Sequence, residues 1–404
     1  MKIKELPIEF KKALPVIEEI NKHGFEAYFV GGSVRDVILN HPIHDVDIAT
    51  SAFPEEIKEI FQRTIDVGIE HGTVLVLHNQ EQYEITTFRT ESTYQDYRRP
   101  DKVTFVRTLE EDLKRRDFTM NALAMTANGE IIDLFEGIES IHQKEIKAVG
   151  NPDERFGEDA LRMMRALRFA SQLDFNIEMK TEEAIQKNHE LLKKIAIERI
   201  YIEWVKLLMG TNREKGLNPF ITTKCYLCCP GLEDKKDELI EFSTLNLTQQ
   251  IKSEELALTI LLVAIKEKNV KKFLTPWKLS KRLSHLVENA VSLYNKRLTN
   301  EWTPQMLYDA GEEVVSLVEN TRAFFNIPSD EAKYVDLYHQ LPIHKISDLA
   351  VSGSDVIQHL NKKPGPWLGD VLKETERNVI SGTWENTKEI LLDKIEKVEL
   401  INGI

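Results

Sequence analysis

Cysteine is nearly missing from this chain of 404 residues: Cys225, Cys228 and Cys229, all in one CYLCC stretch, are the whole supply. A secreted scaffold held by disulfides is thereby excluded. A structural zinc site lacks the second Cys/His cluster that would complete a tetrahedral set, so the three read as reduced structural thiols. Long hydrophobic runs are absent as well. No stretch approaches the roughly 20 uninterrupted apolar residues of a membrane helix. The opening MKIKELPIEFKKALPVIEEI is charged throughout and reads as an amphipathic helix, not a signal peptide. No membrane is expected as a partner, and the cytoplasm is the expected compartment. Positive charge is also short: 53 Lys and Arg face 66 Asp and Glu, for a net charge of −13. That balance weighs slightly against a nucleic-acid ligand, yet such a ligand needs only a local basic strip, so distribution decides.

What is present is an ordinary folded composition, with 42% hydrophobic and 29% charged residues, over a length that accommodates two to four domains. Residues 1–150 alternate short β-rich runs with helical ones. Ala27–Val30, Asp45–Ile48, Thr73–Leu77, Tyr83–Phe88 and Ile131–Leu134 read as strands, bounded by Gly, Asn, His and Thr. Val34–Leu39 and Pro54–Phe61 read as helices, the second with proline in its first turn, where the missing N–H costs nothing. Beyond Asn151-Pro152 apolar residues recur at three- and four-residue spacing almost to the end, as in EDALRMMRALRFASQL and EEVVSLVENTRAFF. The expected fold is an α/β head with a mixed β-sheet followed by a long all-α portion. With the change of pattern near residue 150 and breaks near Gly210–Gly216 and Thr299–Pro304, the chain divides into a head (1–150), a helical neck (151–210), a body (211–300) and a tail (301–404), the tail with a further break near Asn361–Pro366.

Chemistry concentrates in FVGGSVRD (29–36) followed by HDVDI (44–48). A strand ends at Val30, Gly31 and Gly32 let backbone N–H groups come close to a ligand, and a helix begins behind them. That arrangement suits a phosphate chain, and Arg35 in the first turn adds a charge-assisted contact. Asp45 and Asp47 alternate on a predicted strand and so share a face. Two adjacent carboxylates repel unless a positive group sits between them, and a divalent cation fits best. Taken blandly, the glycines are a tight turn and the Asp pair a solvated strand end. The combination in this order and spacing favours the functional reading.

These segments resemble the polymerase-β-type nucleotidyltransferases and, within them, the class II tRNA nucleotidyltransferases. The resemblance is strong over the first ~170 residues and looser to the C-terminus. It implies template-free addition of C, C and A to the 3′ end of tRNA from CTP and ATP, with Mg2+ as cofactor on Asp45 and Asp47. By the same resemblance, Gly31, Gly32 and Arg35 contact the nucleotide triphosphate. Glu84, in YEITTFR, stands where a third carboxylate is expected, as a base for the attacking hydroxyl or to orient the metal. In KRRDFTMNA (114–122), Arg116 is assigned to the incoming nucleotide and Asp117 to its sugar, while the following apolar residues suit a core. In EDALRMMRALR (158–168), Asp159, Arg162 and Arg165 follow three-residue steps on one predicted helix. There Asp159 and Arg162 would read the base, with Arg165 and Arg168 as further nucleotide contacts. The polar segment Arg89–Asp101 resembles the loop that full CCA-adding members keep and CC-adding relatives lack. Basic stretches at Thr275–Arg282 and Ser352–Gly369 are candidate tRNA contacts. His41, His44 and His71 read as structural, and a homodimer stays open. The competing readings are a poly(A) polymerase, a partial CC-only or A-only enzyme, and an inactive RNA-binding scaffold on the same fold. Poly(A) relatives usually carry a strongly basic C-terminal extension, which this acidic chain does not show, and an inactive relative need not keep Asp45 and Asp47.

Overall fold

Glycine and asparagine turns cut the N-terminal β-rich runs short, and seven of them join in one sheet. The computed structural model describes residues 1–68, 72–91 and 103–401. In chain order these begin with α1 (Ile8–Lys22), β1 (Ala27–Val30), α2 (Gly32–Leu39), β2 (Asp47–Thr50), α3 (Pro54–Ile60), β3 (Thr64–Gly68), β4 (Thr73–His78) and β5 (Glu81–Thr87). A two-stranded ribbon of β6 (Arg89–Glu91) and β7 (Val103–Phe105) follows, then α4 (Leu109–Lys114), β8 (Leu123–Met125), β9 (Ile131–Asp133) and α5 (Gly137–His142). The sheet runs β3-β4-β5-β2-β1-β8-β9, with β2 and β5 parallel and the other neighbours antiparallel. This is the expected mixed sheet. Alternation along β1 supplies both of its faces. Phe29 meets Phe10 of α1 edge-on at 4.7 Å, while Val30 joins Ala49, Phe88, Leu113 and Ala124 in a second cluster. At about 1.5–3 kcal/mol per fully buried large apolar side chain, these contacts, more than local propensity, hold such short strands together.

The chain then becomes helical, as expected. A small parallel pair, β10 (Glu145–Ile146) with β11 (Asn176–Ile177), brackets α6 (Pro152–Glu158) and α7 (Leu161–Leu173). After it come α8 (Met179–Asn188), α9 (Ile197–Leu208), α10 (Arg213–Thr222) and α11 (Lys236–Thr244). Leu161, Met164 and Leu167 of α7 are buried, the stripe their spacing requires. These elements belong to a compact unit, Met1–Gln250. The second unit, Ile251–Ile404, holds α12 (Glu254–Ala264), α13 (Val270–Leu274), α14 (Lys281–Arg297), α15 (Pro304–Phe324), α16 (Glu331–His339), α17 (Gly353–Leu360), α18 (Trp367–Ile380) and α19 (Lys388–Ile401). Its core gathers Ala290, Val315, Val318, Val356, Val379 and Leu391. Glu319 is buried there but satisfied, accepting from Arg297 Nε, Trp302 Nε1 and the Asp330 N–H.

Several local expectations shift. The strand expected over Asp45–Ile48 begins at Asp47, because its partner β1 ends at Val30, directly opposite Asp47. Asp45 therefore lies before the strand. The helix expected to run through Asp159 breaks there: Asp159 is extended (φ −133°, ψ 102°), and its carboxylate accepts the Leu161 N–H at 3.0 Å. A short acidic side chain that hydrogen-bonds nearby backbone ends a helix rather than continuing it. Strands β3 and β8 were not expected. The boundary between the compact units falls inside the stretch read as one body, 211–300. Cys225 and Cys229 are buried and all three cysteines are free. Burial pushes the Cys225 thiol up to about 12 and that of Cys228 up to about 11, so they are poor nucleophiles, as structural thiols should be. No described helix is long and apolar enough to cross a membrane.

Candidate active site

Strand registry brings the acidic residues together. Ile48 of β2 sits level with Ile85 of β5, both buried, so the residue before each, Asp47 and Glu84, is level on the opposite, open face. Asp45, just ahead of the strand, lines the same cavity of about 660 Å³, together with His44, Tyr83 and Lys12. Lost solvation raises the Asp47 carboxyl above its usual range; Arg116 opposes this, and Glu84 and Asp45 reinforce it. A carboxylate in such company is stabilised by added positive charge. Among the described residues, no three His, Cys, Asp or Glu side chains form a closed metal site. Mg2+ needs no such cage, since it is commonly held by one or two carboxylates together with substrate phosphates and water. The oxygen donors at Asp45 and Asp47 fit that pattern.

Gly31 joins this acidic edge to a basic one. Its φ of 71° lies in the left-handed region, and it precedes the first residue of α2. A Cβ built there would lie 2.9 Å from Arg116 Nη1 and 3.7 Å from Asp47 Oδ2. Arg116 is held by Asp112, whose buried carboxylate also takes Arg115. Arg35, nearly buried, donates to Asp36 at 2.9 Å and to Asn121 Oδ1 at 2.7 Å. Asn121 in turn donates to Asp117 at 3.0 Å. Asp117 also accepts from the Phe118 N–H at 2.8 Å and from Arg165 Nε at 2.8 Å and Nη2 at 2.5 Å. Burial works against its charge, but Arg165 and Asn121 outweigh it and hold the carboxyl far below the ordinary range. Phe169 lies beneath three guanidinium groups, those of Arg35, Arg165 and Arg168, at 5.2, 5.3 and 3.9 Å from its ring centre.

The remaining expected residues lie along α6, α7 and α9. Arg162 is nearly buried and donates to Glu158 at 2.9 Å and to the Arg115 carbonyl at 2.8 Å. Asp159 pairs with Arg199 of α9, at 3.0 Å. Arg168 pairs with Glu203 of α9 and with Gln172. Most of the Arg89–Asp101 segment, and His71, lie outside the described residues.

Known proteins match this arrangement along the whole chain. Residues 27–147 match the poly A polymerase head domain, 174–226 a probable RNA- and SrmB-binding site of polymerase A, and 249–395 a putative second domain of tRNA nucleotidyltransferases. A CCA-adding enzyme of Enterococcus faecalis is 56% identical over 399 residues, covering 98% of both chains. One from Ligilactobacillus salivarius is 49% identical, covering 98% of this chain and 99% of its own. The chain belongs to the CCA-adding enzymes. Its fold superposes on the crystal structure of a Bacillus stearothermophilus CCA-adding enzyme in complex with CTP with a TM-score of 0.90, at 39% identity and over 98% of this chain and 99% of that one.

For a CCA-adding enzyme, two residues at the centre of the site were not singled out from sequence. Asp112 clamps both arginines of the Arg115-Arg116 pair, and a carboxylate three and four residues ahead of an Arg-Arg pair on a helix was the available signal. Asn121 links Arg35 to Asp117 from inside a segment read as core. Gly31 carries its own prediction. Gly31→Val should lower nucleotide affinity by at least about tenfold, because the branched side chain meets Arg116 in a backbone conformation it disfavours. Nucleotide binding by calorimetry is the check, and unchanged affinity would remove Gly31 from the nucleotide site.

Proposed function

We propose that this protein adds C, C and A in sequence to the 3′ end of tRNA, taking nucleotides from CTP and ATP and releasing pyrophosphate. The observation that carries the reading is the convergence of Asp45, Asp47 and Glu84 on one cavity whose edge meets Gly31 and Arg116. Asp45 and Asp47 would hold Mg2+, which when bound makes the tRNA 3′-hydroxyl a better nucleophile and offsets charge on the leaving pyrophosphate. Gly31, Gly32 and the start of α2 receive the triphosphate through backbone N–H groups. Arg116 and Arg35 are its cationic contacts, and Arg165 lies beside them. Glu84 takes the proton of the attacking hydroxyl or orients the metal. Asp117 acts on the sugar side, and Arg168, tied to Glu203 of α9, is a further contact on the nucleotide side. In this reading residues 1–150 are the catalytic head, 151–210 the neck, and 211–300 and 301–404 the body and tail that hold tRNA, with the cytoplasm as the place of action.

Base selection is assigned to Asp159 and Arg162. Cytosine and adenine each offer an amino donor beside a ring-nitrogen acceptor, the pattern a carboxylate and a guanidinium satisfy together; uracil and guanine offer the reverse. A mispaired polar group shielded from water costs about 1–3 kcal/mol. Asp159→Ala should therefore lower use of CTP and ATP together and raise relative use of UTP and GTP by about tenfold or more, read from kcat/KM for all four. The whole reading is tested with tRNA lacking its 3′ end, Mg2+ and each nucleotide singly and in pairs, sizing the products. A ladder of A residues without C would indicate a poly(A) polymerase, and arrest at CC a partial enzyme.

A further inference from the structure

Helix spacing does not fix Asp159, because α6 has ended there and α7 has not begun. Two contacts do. One carboxylate oxygen accepts the Leu161 N–H, and the other accepts Arg199 Nη2. Arg199 comes from the first turn of α9, forty residues on, and packing against α7 gives α9 its place: Glu203, one turn further along, takes Arg168 of α7. The two residues assigned to the base thus each have an oppositely charged holder, Glu158 for Arg162 and Arg199 for Asp159.

The Arg199 pair has a feature that a purely structural ion pair does not require. Its Nη1 is shielded from solvent and has no hydrogen-bond acceptor among the described residues. Buried guanidinium nitrogens are normally satisfied. This one belongs to the same planar fork that grips Asp159, so among the described residues the fork is directed by its bond to Asp159 and not by a second acceptor on Nη1.

We propose that Arg199 is a specificity-determining positioning residue: it sets the orientation in which Asp159 meets the incoming base. The inference rests on the assignment of base reading to Asp159. It gives α9, which carries none of the residues assigned to catalysis or nucleotide binding, a part in choosing the base. A rigid, planar donor of fixed direction is needed for this, so lysine is not an equivalent replacement.

The test measures kcat/KM for CTP, ATP, UTP and GTP with the full-length enzyme and a tRNA ending before the first C. The proteins compared are the parent, Arg199→Lys, Arg199→Gln, Asp159→Ala and the Arg199→Gln/Asp159→Ala double variant, each checked for folding by urea denaturation. Arg199→Gln should narrow the preference for CTP over UTP at least tenfold, and Arg199→Lys should shift it the same way by less. In the Asp159→Ala background, Arg199→Gln should change the ranking no further, since a residue acting through Asp159 has nothing left to act on. An unchanged ranking in both single Arg199 variants overturns the proposal, as does an equal shift with and without Asp159. Should Arg199→Gln fail to fold, the Arg199→Lys ranking alone decides between the first two outcomes. Failure of the underlying reading appears in a different arm: Asp159→Ala would then leave the ranking where it was, and both assignments would fall together.

Discussion

Asp47→Ala is expected to reduce addition of every nucleotide by three orders of magnitude or more, with tRNA affinity nearly unchanged, and Asp45→Ala should behave alike. Asp47 shares its cavity with Asp45 and Glu84, and its proton affinity is raised by lost solvation and by those two neighbours. A charge placed so unfavourably in the isolated protein becomes favourable when a cation is bound. Stabilising developing charge through a metal supplies several kcal/mol of barrier lowering, and each ~1.4 kcal/mol is a factor of ten in rate. Asp47→Asn keeps the shape and removes the charge, so it should lose as much. Alanine at either position also relieves repulsion, so neither variant should be less stable than the parent. Single-turnover addition of CMP to a truncated tRNA, with a gel-shift measurement of tRNA binding, separates the two effects. Turnover within tenfold of normal in either variant would remove that residue from the metal site. Glu84→Gln should lose less, since Glu84 lies one strand further away on β5 and a water can take over proton acceptance.

How far such a site could be read from sequence depended on the range of the interaction concerned. The GGSVR turn and the paired aspartates are local, and their residue types and spacing lie within twenty positions of one another. The strand, the glycine turn and the helix behind it are all present where the spacing put them. Asp45 departs from the pattern in detail: it lines the cavity without being a strand residue, because the ladder ends with β1. Helical periodicity was blind to the break at Asp159. Apolar residues at helical spacing continue across it, and only the extended backbone and the side-chain bond to Leu161 N–H reveal that the helix restarts. Partnerships across long sequence separations were out of reach altogether. Nothing near Asp117 announces Arg165, 48 residues on, and nothing near Asp159 announces Arg199, 40 residues on. Both contacts exist because α7 and α9 pack on one another and on the head, a consequence of core burial that single-sequence patterns do not encode.

The Asp117–Arg165 pair bears the second large expectation. Asp117 spends its acceptor capacity inside the protein, on the Phe118 N–H, Asn121 and both reachable nitrogens of Arg165. A carboxylate has about four lone-pair positions, so a sugar hydroxyl can be accepted only if Arg165 yields one of them. Asp117→Ala should therefore do two things. It leaves Arg165 without its partner, and because about a third of that side chain stays in water, the loss of stability falls short of the about 3–5 kcal/mol of a fully buried pair, nearer 2 kcal/mol. Exchange protection of the Phe118 amide, which loses its acceptor, should fall accordingly. The variant should also accept deoxynucleotides better relative to ribonucleotides, because a site that spends a buried acceptor on a hydroxyl discriminates strongly against its absence. Acid gives an independent check with a definite sign. The native carboxyl is held far below the unfolded value near 4, so its stabilisation is complete above about pH 4 and declines as the pH falls below that value toward the native one. Asp117→Asn should flatten the acid limb of the stability profile between about pH 4 and 2. Reduced stability with an unchanged ribose-to-deoxyribose ratio would make Asp117 the anchor of Arg165 alone, and the sugar would have to be read elsewhere.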